Sequence, residues 1–378
     1  MKTSSVLKPA PDAADVCGHA PAYIRAIAPY QPGKPISELA REMGLAEDSI
    51  VKLASNENPR GASPLALEAM RRVVADSGRY PDGSAFALKA ALSKRFGLDP
   101  ARVVVGNGSN DVLEMAARAF LAPGTSAVYS EHAFAVYPLA TQAAGAAGIV
   151  VPARDFGHDL EAMAKAVRGD TRAVFVANPN NPTGTWHEPG AVRAFLESIP
   201  SEVLVVLDEA YNEYLDPARR GDALRWTGEF PNLVVSRTFS KAYGLAGLRV
   251  GYGVAHSQVI DLMNRVRQPF NVSDIAQAAA AAAVFDDAFV EQSMLLNRQG
   301  MQILTAGFAR LGLDWIASHG NFVSVRVGNA PEVFQALLRQ GVIVRPVGGY
   351  GMPQHLRVSV GTETENARFL AALEIAIR

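Results

Sequence analysis

The chain has 378 residues, 49% of them hydrophobic, a formal net charge of −1 and one cysteine, Cys17. That length suits two domains with large apolar cores, and the balanced charge argues against nucleic acid or an anionic membrane surface as a partner. A lone cysteine cannot form an internal disulfide and the N-terminus lacks a basic-then-apolar pattern, so a cytoplasmic protein is expected.

Residues 1 to about 20, rich in Ala, Pro and Asp, read as a mobile arm. From about residue 64, helical patterns such as PLALEAMRRVVAD and AFALKAALSKRFG alternate with short β-rich runs near 102, 126, 148, 172, 202, 232 and 250. That alternation implies an α/β protein with a mostly parallel seven-stranded sheet flanked by helices. The Ala-rich stretch 275–285 is too short to cross a bilayer and reads as a buried helix. From about 286 a long helical pattern leads to strands near 321, 342 and 355 and a final helix, TENARFLAALEIAIR. The expected division is 1–55 as N-terminal arm and part of a small domain, 56–270 as the large domain, and 271–378 as a C-terminal small α+β domain.

Three clusters, NPNNPTG (178–184), DEAY (208–211) and SKAYGLAGLR (240–249), each lie just past an apolar run of strand length. Open α/β sheets bind their ligands at such strand ends. A lysine becomes a nucleophile where a dry, positively biased pocket lowers its pKa, and Lys241 is the candidate. Taken alone, Lys241 is a surface charge and Asp208 a helix cap or ion-pair partner; their shared position at the strand ends changes that reading. The turn GNGSND (106–111), between RVVV and DVLEMAARAF, can aim the backbone N–H groups of Gly108, Ser109 and Asn110 at an anion. It lacks the Gly-Lys-Ser/Thr ending of a nucleotide phosphate loop.

In this order the three clusters resemble the fold-type-I pyridoxal-phosphate (PLP) aminotransferases. With KLASNENPRG (52–61), GRYPDG (78–83) and VIVRPVGGYGMPQHLRVSVG (342–361), the resemblance is to the histidinol-phosphate aminotransferase group, from about Tyr30 to the C-terminus. It implies that the 56–270 domain binds PLP and that Lys241 holds the cofactor and moves the proton at the substrate Cα. Asp208 faces the pyridine nitrogen, Asn181 and Tyr211 the phenolic oxygen, and Phe134 stacks on the ring where the commoner residue is tyrosine. Arg249, Ser240, Thr238 and the Gly108–Asn110 turn take the phosphate. Tyr80 reaches the phosphate in the neighbouring subunit of a homodimer with shared active sites. Arg357 grips the acidic group of the substrate, and Arg345 with Tyr30 a distal phosphate; Asn181 also lies beside the substrate.

The implied reaction is ping-pong transfer of an amino group from histidinol phosphate to 2-oxoglutarate, in histidine biosynthesis. An aromatic amino acid aminotransferase, a threonine-phosphate decarboxylase and a non-catalytic PLP-fold regulator stand as alternatives. No metal and no nucleic-acid or membrane partner is implied.

Overall fold

The computed structural model describes residues 14–378. Most of the segment expected as an arm, residues 1–13, lies outside the described residues; Ala14–His19 form a short helix. In chain order the strands are β1 (Val51–Lys52), β2 (Val103–Gly106), β3 (Ser126–Ser130), β4 (Ala147–Val151), β5 (Thr171–Ala177), β6 (Leu204–Asp208), β7 (Leu233–Thr238), β8 (Gly251–Val254), β9 (Trp315–Ile316), β10 (Phe322–Arg326), β11 (Val342–Ile343), β12 (Arg345–Pro346) and β13 (His355–Ser359).

The large sheet runs β2-β8-β7-β6-β5-β3-β4. Its central strands read LVVLD and LVVSRT and are buried along their whole length. Helices cover both faces, so Leu204–Leu207 and Leu233–Val235 are apolar on both, and the buried polar residues Asp208 and Ser236–Thr238 come only at the strand ends. The edge strand β4 has only Val151 buried. Every pairing is parallel except those of β8, which is antiparallel to both β2 and β7. The reason is the link from β7 to β8, residues 239–250, which holds one short 3-10 turn and no crossover helix. A chain that does not cross the sheet must return antiparallel. As a consequence the whole 239–250 segment stays at the edge where the parallel strands end.

The smaller sheet is antiparallel, in the order β12-β13-β10-β9. Val51, Leu53, Leu304, Phe308, Val323, Leu337, Leu356 and Phe369 share its core. The long helix Asp287–Arg310 and the last helix, Glu363–Ala376, pack there. A Cβ at Gly307 would strike Leu370, so glycine permits this close helix approach. The last helix starts with a reciprocal cap in which Thr362 and Glu365 satisfy each other's backbone N–H groups. The N-terminal segment returns to this region because β1 pairs in parallel with β11, Val51 opposite Val342.

The Ala-rich helix, Asp274–Ala283, is buried, but its Ala276, Ala279, Ala280 and Ala283 pack into the core beneath the large sheet. Small side chains let it lie close against the helices Pro64–Val73 and Phe86–Phe96. The helix thus joins the core of the large sheet, past the expected boundary at residue 270.

Candidate active site

At the ends of β2, β3, β5, β6 and β7 a cavity of about 180 Å³ opens between the large sheet and β12/β13. Tyr30, Ser109, Asn110, Phe134, Asn181, Asp208, Tyr211, Thr238, Ser240, Lys241, Arg249, Arg345 and Arg357 all line it. Two residues expected at the site stand apart. Gly108 backs the wall rather than forming it, and Tyr80 is 82% exposed, stacked on Phe270 with ring centroids 4.9 Å apart.

At one end sits an anion cradle. The helix expected from Asp111 begins two residues earlier, at Ser109, with Gly108 as its N-cap at φ 77°. First-turn N–H groups have no partner inside a helix, so those of Ser109 and Asn110 open toward the cavity wall they form. A Cβ on Gly108 would collide with the Arg249 guanidinium, so only glycine lets this arginine lie across the helix start. Arg249 Nη1 donates to Ser240 Oγ at 3.2 Å, and Thr238 Oγ1 donates to the same oxygen at 3.0 Å. The result is a cluster of hydroxyl, backbone and guanidinium donors with no carboxylate hydrogen-bonded to it, which suits a phosphate group.

In the middle, Asp208 ends β6 and is 5% exposed. Burial pushes its carboxyl up to about 6, against the hydrogen bonds it accepts from Tyr137 Oη at 2.9 Å and the Ala210 N–H at 3.2 Å. A buried carboxylate of this kind gains from a cationic N–H partner, as a protonated pyridine nitrogen provides. Its neighbour Glu209 points away, held by two hydrogen bonds from the buried Arg237 at 2.9 and 2.7 Å. Lys241 Nζ donates to the Ser55 carbonyl at 3.1 Å. Burial, then the nearby Arg357 and Arg249, lower the lysine to about 8, while Glu57 and Asp208 pull the other way. An amine in that range exists in both protonation states near neutrality, as a proton-transfer group requires.

At the far end Arg357, on β13, is 6% exposed. It donates to the Asn181 amide oxygen and, at 2.7 Å, to the Ala54 carbonyl, and its Nε–H has no partner among the described residues. With its oxygen engaged, Asn181 has only its NH₂ left to offer the cavity. Arg345 lies directly opposite Arg357 in the β12/β13 pair, beneath the ring of Tyr30 at 5.5 Å. Two like charges facing each other across a strand pair are unfavourable unless an anion joins them. The sequence reading missed Tyr137, Ser55 and Asn56, although Ser55 and Asn56 fall inside KLASNENPRG and Tyr137 stands three residues after Phe134; only tertiary contact shows what they touch.

The donor set thus fits PLP: an anion cradle, a buried acid and a depressed lysine lie in one cavity. Among the described residues no cluster of three or more His, Cys, Asp or Glu is arranged to hold a metal ion, and no helix is long and apolar enough to cross a membrane.

Residues 48–373 match the family model for aminotransferase class I and II. Over 364 residues the chain is 60% identical to histidinol-phosphate aminotransferase 2 of Nitrosospira multiformis, covering 96% of this chain and 93% of that protein. It is 64% identical to histidinol-phosphate aminotransferase 1 of Thiobacillus denitrificans, covering 94% and 92%. Its fold matches the crystal structure of histidinol-phosphate aminotransferase from Sinorhizobium meliloti in complex with pyridoxal-5'-phosphate, with a TM-score of 0.88 and 30% identity over 95% of this chain and 98% of that one. A match of this extent, on a cavity whose groups suit PLP, carries the cofactor with it: the chain belongs to the class I and II aminotransferases and is a PLP-dependent transaminase.

Proposed function

We propose that the chain transfers the amino group of histidinol phosphate to 2-oxoglutarate, a step of histidine biosynthesis, by a ping-pong reaction. The observation that carries this reading is the facing pair Arg345 and Arg357 in the cavity that holds Lys241. A phosphorylated amine brings one dianionic group to these guanidiniums, and 2-oxoglutarate brings two carboxylates; both satisfy a pair of planar, permanently charged forks. The relatives named above point the same way.

When bound, PLP supplies an electron sink for the pair of electrons left as Cα loses its proton. Asp208 keeps the pyridine nitrogen protonated. Asn181 and Tyr211 donate to the phenolic oxygen, and Phe134 covers the ring face. Ser109, Asn110, Thr238, Ser240 and Arg249 hold the phosphate, with Gly108 making room for the arginine. Lys241 would hold the cofactor and, once displaced by the substrate amine, its free amine would take the proton from Cα as general base and deliver it as general acid to the cofactor carbon, C4′, that it had held. Arg357 would orient the substrate by its acidic group, the phosphate of histidinol phosphate or a carboxylate of 2-oxoglutarate, and Arg345 with Tyr30 would meet the same phosphate from the facing strand.

The enzyme works as a cytoplasmic homodimer. Tyr80 stacks on Phe270, and the two rings, 82% and 48% exposed, form an aromatic surface outside the chain's own cavity. A second copy would cover that surface and receive Tyr80 at its cofactor phosphate, completing each site with both chains.

The test is a single turnover. The PLP form, without keto acid, is mixed separately with histidinol phosphate, phenylalanine and phosphothreonine, and cofactor absorbance and product are followed. Fastest conversion to the amine form by histidinol phosphate is the expected result. Faster conversion by phenylalanine would make this an aromatic aminotransferase, and a decarboxylated product would remove it from the transferases.

A further inference from the structure

Asn56 makes a set of hydrogen bonds whose polarity is fixed. Its backbone N–H donates to Ser359 Oγ at 2.8 Å. The one proton of that serine then goes to Asn56 Oδ1, 3.0 Å away. With its oxygen so engaged, the amide turns its NH₂ to Tyr211, whose Oη accepts at 2.9 Å. A phenol carries one proton, and an Oη that accepts from Asn56 must send that proton elsewhere. Tyr211 lines the cavity, which is where the proton is free to point. Asn56, Ser359 and Tyr211 are 1%, 3% and 4% exposed, so water does not compete for these groups.

The backbone supports the same arrangement. Asn56 has φ 54°, in the left-handed region that asparagine tolerates better than most side chains. Its carbonyl accepts from Asn321 Nδ2 at 3.0 Å. Ser359 stands two residues after Arg357 on β13, and alternate residues of a strand share a face. One strand therefore sets the polarity of both amides beside the ring site: Asn181 through Arg357, and Asn56 through Ser359.

We propose that Asn56, locked by Ser359, is a positioning residue that makes Tyr211 a hydrogen-bond donor into the cofactor cavity. The inference rests on the proposed contact of Tyr211 with the phenolic oxygen of PLP, and it adds the device that fixes the direction of that contact.

The experiment uses the PLP-loaded protein and reads the pH midpoint of its visible absorbance, together with kcat and KM. Asn56→Gly deletes the amide and relieves the backbone, Ser359→Ala removes only the lock, and Tyr211→Phe is the reference. Losing the donated hydrogen bond destabilises the anionic phenolic oxygen, so the midpoint rises in all three. The expected rise for Asn56→Gly is about 0.5, the size of one neutral hydrogen bond felt by one protonation state, with Ser359→Ala smaller and Tyr211→Phe largest. In the Tyr211→Phe background Asn56→Gly adds nothing, and kcat falls more than KM changes. An Asn56→Gly shift of equal size with and without the Tyr211 hydroxyl would overturn the positioning role while leaving Tyr211 its own. A Tyr211→Phe midpoint equal to wild type would overturn the contact beneath it and the positioning role with it. If Asn56→Gly fails to fold, as circular dichroism would report, Ser359→Ala in the two backgrounds decides by the same criterion.

Discussion

The two ends of the cavity are built in opposite ways. The anion cradle comes from the large domain alone, from one strand-to-helix turn at 106–111 and one strand-to-strand link at 238–249. The substrate end is assembled from Tyr30, Ala54, Asn181, Arg345 and Arg357, with hydrogen bonds such as Arg357 to Ala54 spanning 303 residues. A cradle made of local segments fixes a cofactor that does not vary. A wall made of a second domain and a returning N-terminus can be altered without disturbing that cradle, so on the proposed function the choice of substrate would reside there.

The largest effect is expected where the cofactor side depends on a single buried charge. Asp208→Asn should lower kcat by about 10²–10³-fold, the usual loss when one preorganised electrostatic partner is removed. The same change should stabilise the unloaded protein at neutral pH. The folded carboxyl titrates near 6 against an ordinary 3.8, so the relative stability it confers is complete below about pH 4 and lost as pH rises through 6. Asparagine escapes that loss, on the order of 3 kcal/mol. Thermal unfolding of the unloaded proteins at pH 4 and 7 measures it; a variant less stable than wild type at both would mean that the carboxylate is a structural partner.

At the substrate end the effects should be smaller and selective. Arg345→Ala is expected to raise KM for histidinol phosphate roughly 10–100-fold, the range of a charge-assisted hydrogen bond, and to change KM for phenylalanine far less. Arg357→Ala should impair both donors, because its guanidinium is buried and also orients Asn181. Steady-state kinetics with the two donors separate these cases. Equal effects of Arg345→Ala on both would strip that residue of its phosphate role.

The contrast also governs what the sequence made legible. The seven strands of the large sheet fall near the short β-rich runs that announce them; in the inner strands such as β5 and β6 this is because a strand buried on both faces is mostly apolar, while the edge strand β4 keeps the pattern with only Val151 buried. Asp208, Lys241 and Arg249 were readable for a related reason, since each sits at or just past such a run and needs only its local segment to reach the cavity. The Ala-rich helix was recognised as buried but not as part of the large core, because periodicity shows that a face is covered and not what covers it. Asn56 was invisible as a functional residue although its motif was noted. Its partners, Tyr211 and Ser359, are 155 and 303 residues away, and nothing local distinguishes an asparagine that orients a phenol from one that turns the chain. Tyr80 is the reverse case: its motif was legible, while among the described residues its ring stacks on Phe270, outside the cavity.

Lys241 is where the two ends meet, and it offers the finest test of whether they act independently. In the unloaded protein its amine stands near 8, lowered first by burial and then by Arg357 from the substrate end and Arg249 from the cradle. Only the neutral amine reacts with an acylating reagent, so labelling of Lys241, read by peptide mass spectrometry, should rise with pH through a midpoint near 8 rather than near the ordinary 10.5. Removing a neighbouring cation makes the ammonium form easier to hold, which moves the midpoint upward. Arg357→Ala should move it more than Arg249→Ala, since Arg357 is buried against the lysine and Arg249 is exposed to solvent that screens it. A midpoint that follows Arg249 and ignores Arg357 would mean that the proton-transfer group answers to the cradle alone. A midpoint that follows Arg357 ties the amine to the proposed substrate end, so that an anion neutralising this guanidinium would raise the basicity of the group proposed to take the Cα proton.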